Sequence, residues 1–512
     1  MDTETKKGGK ILKTAILMVI ITLSAKALGL LRDVLLAASY GTSADAVAYD
    51  TASRLPLIIF DFVIGGVVTA SFIPVFNDLL VKKDKKEAFD FANGYINAIL
   101  LITAILASLG LIFAEPLVTF LAPDIDASTH DLAVSLSRVM FPMIIFTGLA
   151  FSFVGLLQSF GSFLLPAFIS LVSNLIMVLY FVFFNERYGI WGLAVSMLLG
   201  WLVQALIQLP SVLKKGYRYS PKLDFKSVYI KRSLIMALPI LVSSWVQPFC
   251  NLINTRFASS IDGGGAIPAM GYANRLYLII VGVFTFVATN LLFPYFSKAE
   301  ASGDKAEGER LTRISIKTLE LIIIPITAGI FVLAEPIVSF IYQRNAFDAA
   351  DVAMTAQALR FFSLGMPFYA LCEVSSKKFF AEKNTLPPMI TALISIVINF
   401  ISVMLLSKQL GIAGIAISSS IAILANAILS YILRLLKGDK MLCARDFADV
   451  LIMLISAVLM AVLVLWVKVF YLPNNILALI ISVIFGCVIY ILFCALFGER
   501  LTKGTLKKIF KK

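Results

Sequence analysis

Residues 22–56, TLSAKALGLLRDVLLAASYGTSADAVAYDTASRLP, form an apolar stretch of helical length that is interrupted by charge. Six charged residues lie within it: Lys26, Arg32, Asp33, Asp45, Asp50 and Arg54. A charge at membrane depth is costly in hydrocarbon and usually faces a polar cavity or a partner. The stretch therefore predicts a membrane-embedded helical hairpin. Its charged residues are the first candidates for a functional site.

The rest of the chain has the composition of an integral membrane protein. Of its 512 residues 60% are hydrophobic and only 15% are charged, and the mean hydropathy is +0.93. Soluble domains are roughly half apolar and about a quarter charged. The net charge of +13 comes from short loops between apolar runs, which is typical of cytoplasmic loops and argues against a nucleic-acid surface.

Apolar runs of about 20 residues, enough to cross a bilayer, recur along the whole chain. We predict fourteen transmembrane helices near 11–38, 49–79, 88–114, 131–157, 163–184, 190–212, 231–258, 268–297, 312–333, 353–377, 386–407, 412–436, 447–468 and 474–497. Most of the 44 Lys and Arg residues fall in alternate loops and in both terminal segments. The sequence therefore predicts an all-α integral membrane protein with both termini in the cytoplasm.

An internal repeat organises these helices. Three pairs of segments match at nearly one offset: ASRLPLII 52–59 with ANRLYLII 273–280, AEPLVTF 114–120 with AEPIVSF 334–340, and YGIWGLAVS 188–196 with LGIAGIAIS 410–418. Such matches indicate a duplicated six-helix unit, and an even helix count keeps both copies in the same orientation, related by a pseudo-two-fold axis along the membrane normal. We expect two six-helix lobes, 1–221 and 222–440, followed by helices 13 and 14 with a basic tail in 441–512.

Signals for enzyme chemistry are absent from the sequence. The single histidine, His130, lies in an outer loop, so a His-based metal site or catalytic triad is not expected. The five cysteines have no CxxC spacing, and no phosphate-binding GxxxxGK[ST] loop occurs. We expect neither a metal nor an organic cofactor.

Basic residues within the predicted spans are the specific chemical signal. They are Lys26, Arg32, Arg54, Arg138, Arg256, Arg275 and Arg360, and they outnumber the acidic residues at similar depth. The repeat pairs Arg54 with Arg275 and, more loosely, Arg32 with Arg256. Because the arginine fork matches phosphate and carboxylate oxygens, the surplus favours an anionic ligand. The alternative is that these residues form structural ion pairs or gates.

Several motifs resemble those of the MurJ (MviN) family of lipid II flippases. They are SAKALGLLRD 24–33, RLP 54–56, SFIPVF 71–76, YANRL 272–276 and LFPYF 292–296. The resemblance implies the multidrug/oligosaccharidyl-lipid/polysaccharide exporter fold. It also implies transport of undecaprenyl-pyrophosphate-linked disaccharide-pentapeptide from the inner to the outer leaflet of the bacterial plasma membrane, for peptidoglycan synthesis.

The resemblance also implies roles for individual residues. Important basic positions of the family fall on Arg32, Arg54 and Arg275, a central-cavity arginine on Arg256, and an acidic outer-turn position on Asp45. Helices 13 and 14 would form a groove for the polyprenyl tail. The chain departs from the family pattern at Asn274 and Asn384, and the second departure argues against a sodium site of the kind found in some members.

The sequence thus predicts a non-enzymatic flippase that works by alternating access. Arg32, Arg54, Arg256 and Arg275, assisted by Lys26, would bind the substrate pyrophosphate, and Asp33, Asp45 and Asp50 would orient these cations or form gates. Membrane potential or a monovalent ion would supply the energy, and cell-wall synthesis or division proteins are candidate partners. The alternatives are a flippase for another polyprenyl-linked saccharide, or a multidrug or cation antiporter, whose cavity should contain mainly acids.

Overall fold

Apolar segments without period-two alternation predict helices, and all regular structure in the part of the chain described is helical. The computed structural model describes residues 2–63, 71–221, 227–287, 292–439, 441–471 and 476–502. Within those ranges ten helices are long and apolar enough to cross a membrane. They are Lys85–Ile112, Ala127–Ser159, Leu164–Phe183, Asn185–Lys214, Ala266–Val283, Lys305–Tyr342, Leu386–Leu410, Ile412–Leu436, Ala444–Val467 and Leu477–Phe497.

Each of these ten coincides with a predicted span. The other four predicted spans, 11–38, 49–79, 231–258 and 353–377, are helical in the residues described except at Trp245, Leu364 and Gly365. The first carries four charged residues, the second contains the undescribed residues 64–70, and the last two are each divided into two shorter helices. The count of fourteen therefore remains a prediction.

The chain divides into two compact units, Met1–Pro268 and Ala269–Lys512. The helices of the first are α1 (Asp2–Tyr40), α2 (Ala44–Val63), α3 (Ile73–Lys82), α4 (Lys85–Ile112), α5 (Ala114–Leu121), α6 (Ala127–Met140), α7 (Met143–Ser159), α8 (Leu164–Phe183), α9 (Asn185–Leu206), α10 (Leu209–Lys214), α11 (Val228–Ser244) and α12 (Val246–Ala258). The helix α13 (Ala266–Val287) begins three residues before the boundary.

In the first unit α1 packs along α8, and α2 packs against α6 and α7. The helices α1 and α8 approach closely at Gly29, where an added Cβ would lie 3.4 Å from the side-chain amide of Asn174. Small residues permit such close helix approach within a membrane. The helices α11 and α12, which the sequence assigns to the second lobe, contact α2. These contacts place side chains of α1, α2, α8 and α12 close together.

The second unit contains the remaining helices. They are α14 (Phe293–Ala301), α15 (Lys305–Tyr342), α16 (Ala349–Ser363), α17 (Met366–Ala381), α18 (Leu386–Leu410), α19 (Ile412–Leu436), α20 (Ala444–Tyr471) and α21 (Ile476–Phe497). The helix α15 is its central element and contacts α16, α17, α20 and α21. An apolar cluster that includes Ile324, Met453, Met460 and Tyr490 joins α15 to α20 and α21.

Backbone residues with positive φ recur at the spacing of the sequence repeat. The pairs are Gly41 and Asp262, Gly161 and Lys383, Gly189 and Gly411, and Gly216 and Gly438. Six of the eight lie just beyond the end of a helix, where a left-handed residue terminates the helical hydrogen bonding, whereas Gly189 lies at a kink inside α9 and Asp262 begins a short 3-10 helix. Two of the eight positions are occupied by residues other than glycine, and for lysine this conformation is strained.

One repeated peptide folds differently in its two copies. In the first unit the sequence AEPLVTF begins a separate short helix, α5, after a break at Phe113. In the second unit AEPIVSF continues the 38-residue α15 without interruption, although Pro336 lies inside that helix. The proline is compatible with both outcomes, because it can sit in the first turn of a new helix or bend a longer one.

Candidate functional site

The first cationic side chain is held on α1 by its sequence neighbour. The Arg32 guanidinium donates from Nη2 to Asp33 Oδ1 at 2.6 Å and from Nε to the same oxygen at 3.0 Å. The Asp33 residue is only 6% exposed. Adjacent residues on a helix do not face each other, so the pair forms only because the long arginine side chain curves back toward the shorter one.

A third residue, Asn174 of α8, completes the coordination of Arg32. Its Oδ1 accepts a hydrogen bond from Arg32 Nη1 at 3.0 Å, and its Nδ2 donates to the carbonyl oxygens of Ser170 and Ala25 at 2.9 and 3.3 Å. Since the two donor hydrogens are engaged by carbonyls, the amide oxygen is aimed at the guanidinium. Asn174 is not among the residues predicted from the sequence, because it carries no charge, although an amide in an apolar run is a detectable signal.

The second cationic side chain, Arg54, links α2 to α12 and to the start of α13. Its Nη1 donates to Thr255 Oγ1 at 2.8 Å, and its Nη2 donates to the Ile267 carbonyl at 3.1 Å. Nη2 also reaches Asp50 Oδ2, one helical turn earlier on α2, at 3.3 Å. Arg54 is therefore bound by one neutral acceptor, Thr255, and by one acid, Asp50. Thr255 is not among the residues predicted from the sequence.

Asp50 connects the two arginines electrostatically. It pairs directly with Arg54, and its charge also acts on Arg32. Beside it lies Tyr49, which is 4% exposed and donates its hydroxyl to Met197 Sδ at 3.3 Å. The structure therefore brings together Arg32, Asp33, Asp50 and Arg54 in a string of alternating charge. Each guanidinium has one carboxylate and at least one neutral acceptor, so an incoming anion would compete with acids already present.

Arg256 is directed to a different place in the first unit. Its guanidinium donates to the carbonyl oxygen of Phe120 on α5 and lies 5.2 Å from the centre of the Phe120 ring. Together with Glu115, Thr119 and flanking prolines it lines an open cavity of about 530 Å³. The preceding residue, Thr255, contacts Arg54. Because consecutive residues on a helix project about 100° apart, Arg256 is directed away from Arg54.

Lys26, Asp45 and Arg275 complete the set of predicted site residues. The Lys26 side chain is exposed on α1. Asp45 lies in the first turn of α2, where a carboxylate interacts favourably with the helix dipole. Arg275 is an exposed residue of α13 in the second unit. In the ranges described there is no group of three or more His, Cys, Asp and Glu residues arranged to hold a metal ion.

Comparison with known proteins was made for the sequence and for the fold. A family model described as lipid II flippase MurJ matches residues 36–492. The probable lipid II flippase MurJ of Rickettsia prowazekii is 27% identical over 470 residues, which cover 90% of this chain and 91% of that protein. The probable lipid II flippase MurJ of Bdellovibrio bacteriovorus is 30% identical over 429 residues, 82% of this chain and 81% of that protein.

Solved structures with the same arrangement of helices include one described as lipid II flippase MurJ in an inward closed conformation. It superposes with a TM-score of 0.82 and 25% identity over 95% of this chain and 99% of that one. An inward-facing multidrug resistance transporter of the MATE family and the MOP superfamily superposes with a TM-score of 0.71 and 15% identity, covering 83% of this chain and 98% of that one. At that identity the second likeness concerns the fold alone.

Proposed function

Since the chain belongs to the MurJ family of lipid II flippases, we propose that it moves lipid II from the inner to the outer leaflet of the bacterial plasma membrane for peptidoglycan synthesis. It is a multi-pass membrane transporter and not an enzyme. Lipid II carries a pyrophosphate and peptide carboxylates, which are groups that arginine forks recognise.

The proposed topology has fourteen spans with both termini in the cytoplasm. The concentration of basic residues in alternate loops supports it. The proposed lobes are 1–221 and 222–440, with helices 13 and 14 in 441–512. The recurrence of left-handed residues at the repeat spacing, including Gly189 with Gly411 and Gly216 with Gly438, supports the duplication.

The observation that carries the binding mechanism is the string of paired charges on α1 and α2. A pyrophosphate that reaches Arg32 and Arg54 replaces Asp33 and Asp50 as the acceptor of their donors. The released carboxylates of Asp33 and Asp50 then repel the bound pyrophosphate. This repulsion weakens the binding and favours release of the substrate in the next step of transport. Arg54 also holds Thr255 and the Ile267 carbonyl, and anion binding would loosen these contacts between α2 and its neighbours.

Further residues complete the proposed site. Lys26 is exposed and available to an approaching anion. Arg256 and Arg275 contribute when the helices rearrange during alternating access, and Asp45 acts with Asp33 and Asp50 in orienting or gating. Membrane potential supplies energy to the moving charge, at about 2.3 kcal/mol per elementary charge for 100 mV.

The test separates anion binding from a structural role of the ion pairs. Replacing Arg32 alone would leave Asp33 buried beside no cation, so the double variant Arg32→Ala/Asp33→Asn removes the pair without stranding a charge. Arg54→Ala/Asp50→Asn is the matching variant on α2. Arg187→Ala, which removes an exposed arginine stacked on Tyr188, is the control.

Each variant is produced in cells depleted of their native flippase, and transport of labelled lipid II is measured with purified protein in vesicles. We expect the control to support growth and transport, and both double variants to fail while remaining folded. If the double variants transport lipid II as well as wild type, the arginines are structural and the binding mechanism is wrong. If stable wild-type protein neither rescues growth nor moves lipid II, the lipid II assignment itself fails.

A further inference from the structure

A buried carboxyl group lies in the second unit, away from the arginine string. Glu320 is on α15 and is 3% exposed. Its Oε1 has no hydrogen-bond partner among the residues that the structure describes. An ionised carboxylate without a partner is very costly in an apolar interior, and such a group takes up a proton instead. The burial of Glu320 and its unpartnered Oε1 therefore favour the protonated form of this carboxyl group.

Two hydroxyl groups from the neighbouring helices lie in the packed layer between α15, α20 and α21. Ser456 of α20 and Tyr490 of α21 are 0% and 3% exposed, and both approach the buried thiol of Cys494. A thiol is a weak acceptor, and neither hydroxyl has a hydrogen-bonding partner of normal geometry within the described ranges. Tyr490 is also close enough to Glu320 for the two to interact electrostatically. Three helices thus contribute polar groups with unused hydrogen-bonding capacity to one layer.

The surroundings of this layer exclude water. Tyr490 and Cys494 belong to an apolar cluster with Ile324, Met453 and Met460, and Leu321 packs against it. Leu321 follows Glu320 directly, and Ile324 lies one turn further along α15. A proton bound at Glu320 is therefore shielded while α20 and α21 remain packed on α15.

A charged layer lies one helical turn from Glu320, toward the start of α15. Lys317 Nζ, 7% exposed as a residue, contacts Asp449 closely and Asp446 at 3.5 Å, both on the first turns of α20. Arg500, just after α21, joins Asp449 at 2.7 Å. Lys317 and Glu320 are three residues apart and so share a face of the helix. The ammonium can therefore turn from Asp449 to an ionised Glu320.

Charged groups on the other helices packed against α15 are exposed, as are Lys298 and Glu300 of α14, or engaged elsewhere. On α17, Lys377 pairs with Glu373 and Lys378 pairs with Asp439. On α16, Arg360 donates to the Phe331 carbonyl. Beyond α21, Glu499 accepts hydrogen bonds from backbone amides of the last described residues. The charged layer around Lys317 is thus the group of charges that can compensate a change of charge at Glu320.

We propose that Glu320 is a proton-binding site that couples proton movement to transport. When α20 and α21 part from α15, the O–H bond of Glu320 breaks, the proton passes to a cytoplasmic water, and the carboxylate that remains is paired by Lys317. Before the helices close again, the carboxylate takes a proton from water that has entered from the outer side of the membrane, and Lys317 returns to Asp449, so one proton crosses the membrane in each cycle. The coupling rests on the proposed flippase activity, whereas the proton site itself does not.

The site is tested first without transport, by infrared difference spectroscopy of purified wild-type protein against Glu320→Gln at neutral pH. The amide variant has the shape of the neutral acid, so it should fold normally. We expect the carbonyl band of a protonated carboxyl group in wild type that is missing from Glu320→Gln. Glu300→Gln, at an exposed position of α14, is the control and should keep the band. Equal spectra for wild type and Glu320→Gln would overturn the proton site.

Coupling is tested in vesicles that contain a pH-sensitive dye and receive labelled lipid II. We expect wild type and Glu300→Gln to respond to an imposed pH gradient and to move protons with lipid II, and Glu320→Gln to lose both responses. Proton movement that persists in Glu320→Gln contradicts the proposal, and so does a sodium-gradient response that Glu320→Gln abolishes. If wild type moves no lipid II while the infrared band is present, the proposed function fails and the proton site stands.

Discussion

Asn174 limits how much of the Arg32 guanidinium an anion can use. The arginine has five N–H donors, and Asp33 and Asn174 accept hydrogen bonds from all three of its nitrogens. Asp33 neutralises the charge, whereas Asn174 orients the fork without changing its charge. With only one carboxylate and one neutral amide as partners, the Arg32 guanidinium is fixed in place. It can still bind a second negatively charged group.

An Asn174→Asp substitution tests this balance at a single residue. The side chain keeps its shape, but a second carboxylate beside Arg32 replaces the anion that the site is meant to bind. We expect lipid II transport to fall at least tenfold, which corresponds to about 1.4 kcal/mol. Asn174→Ala, which removes the hydrogen bond to Arg32 and the two to backbone carbonyls but adds no charge, is the matched comparison and should retain more transport than Asn174→Asp. The reverse order of activities would show that orientation matters more than charge.

The identity of the charged residues on α1 and α2 was predictable from the sequence, but the neutral groups that complete their coordination were not. Charges stand out in an apolar run, so Arg32, Asp33, Asp50 and Arg54 could be selected from composition alone. Asn174 and Thr255, which come from helices distant in the chain, could not be assigned because helix packing decides which neutral groups reach a guanidinium.

At the scale of the element, helix ends follow the repeat more closely than helix lengths do. The helix α7 ends at Gly161, where the Ser162 amide bonds to the Leu157 carbonyl at 2.9 Å. The helix α17 ends in the same way, with Lys383 in the left-handed position and the Asn384 amide bonded to the Phe379 carbonyl at 3.0 Å. Both are six-to-one capping motifs that favour glycine.

Replacing Lys383 by glycine should stabilise the protein. A non-glycine residue in the left-handed region is strained by roughly 1–2 kcal/mol, and the greater freedom of glycine in the unfolded chain offsets part of this gain. We expect Lys383→Gly to raise the free energy of unfolding by about 1 kcal/mol, seen as a higher Tm in detergent. Lys383→Ala removes the charge but keeps the strain, so it should not raise the Tm. Equal effects of the two substitutions would assign the change to charge.

The sequence predicted helices where long apolar runs occur, and all ten described helices of spanning length coincide with predicted spans. It could not predict that 353–377 divides at Leu364 and Gly365, or that AEPIVSF continues α15 while AEPLVTF begins α5. A local peptide contains too little information to distinguish a bend from a new helix. The surrounding packing decides between them.

On the scale of the whole molecule, buried ion networks supplement apolar packing. Arg434 of α19 is 0% exposed, stacks 3.5 Å from the centre of the Phe379 ring, and pairs with Glu382 and Asp439. Lys378 of α17 also reaches Asp439, at 3.1 Å. Removing one partner from such a network leaves a buried charge uncompensated, which costs several kcal/mol. The network therefore fixes the ends of α17 and α19 together.

Acid should weaken this network in a defined pH range. Burial raises the pKa of the Asp439 carboxyl, but Lys378 and Arg434 outweigh it and hold the pKa below its ordinary value. A carboxyl with a lowered folded-state pKa contributes stability above its unfolded pKa of about 3.9 and loses it as pH falls through the folded value. We expect wild type to exceed Asp439→Asn in Tm at neutral pH and the difference to shrink below about pH 4. A difference that stays constant with pH would contradict this account.

The length of α15 has a mechanical consequence. At 1.5 Å per residue its 38 residues extend about 57 Å, well beyond a hydrocarbon core of about 30 Å. Lys317 is tied to α20 roughly a third of the way along α15, and Tyr342 is buried against Tyr272 and Phe347 at its end. A rotation of about 5° about Lys317 would displace Tyr342 by roughly 3 Å. A small rotation of the helix about the charged layer therefore becomes a larger displacement at its far end. A change in packing beside Glu320 is thus transmitted to the residues around Tyr342.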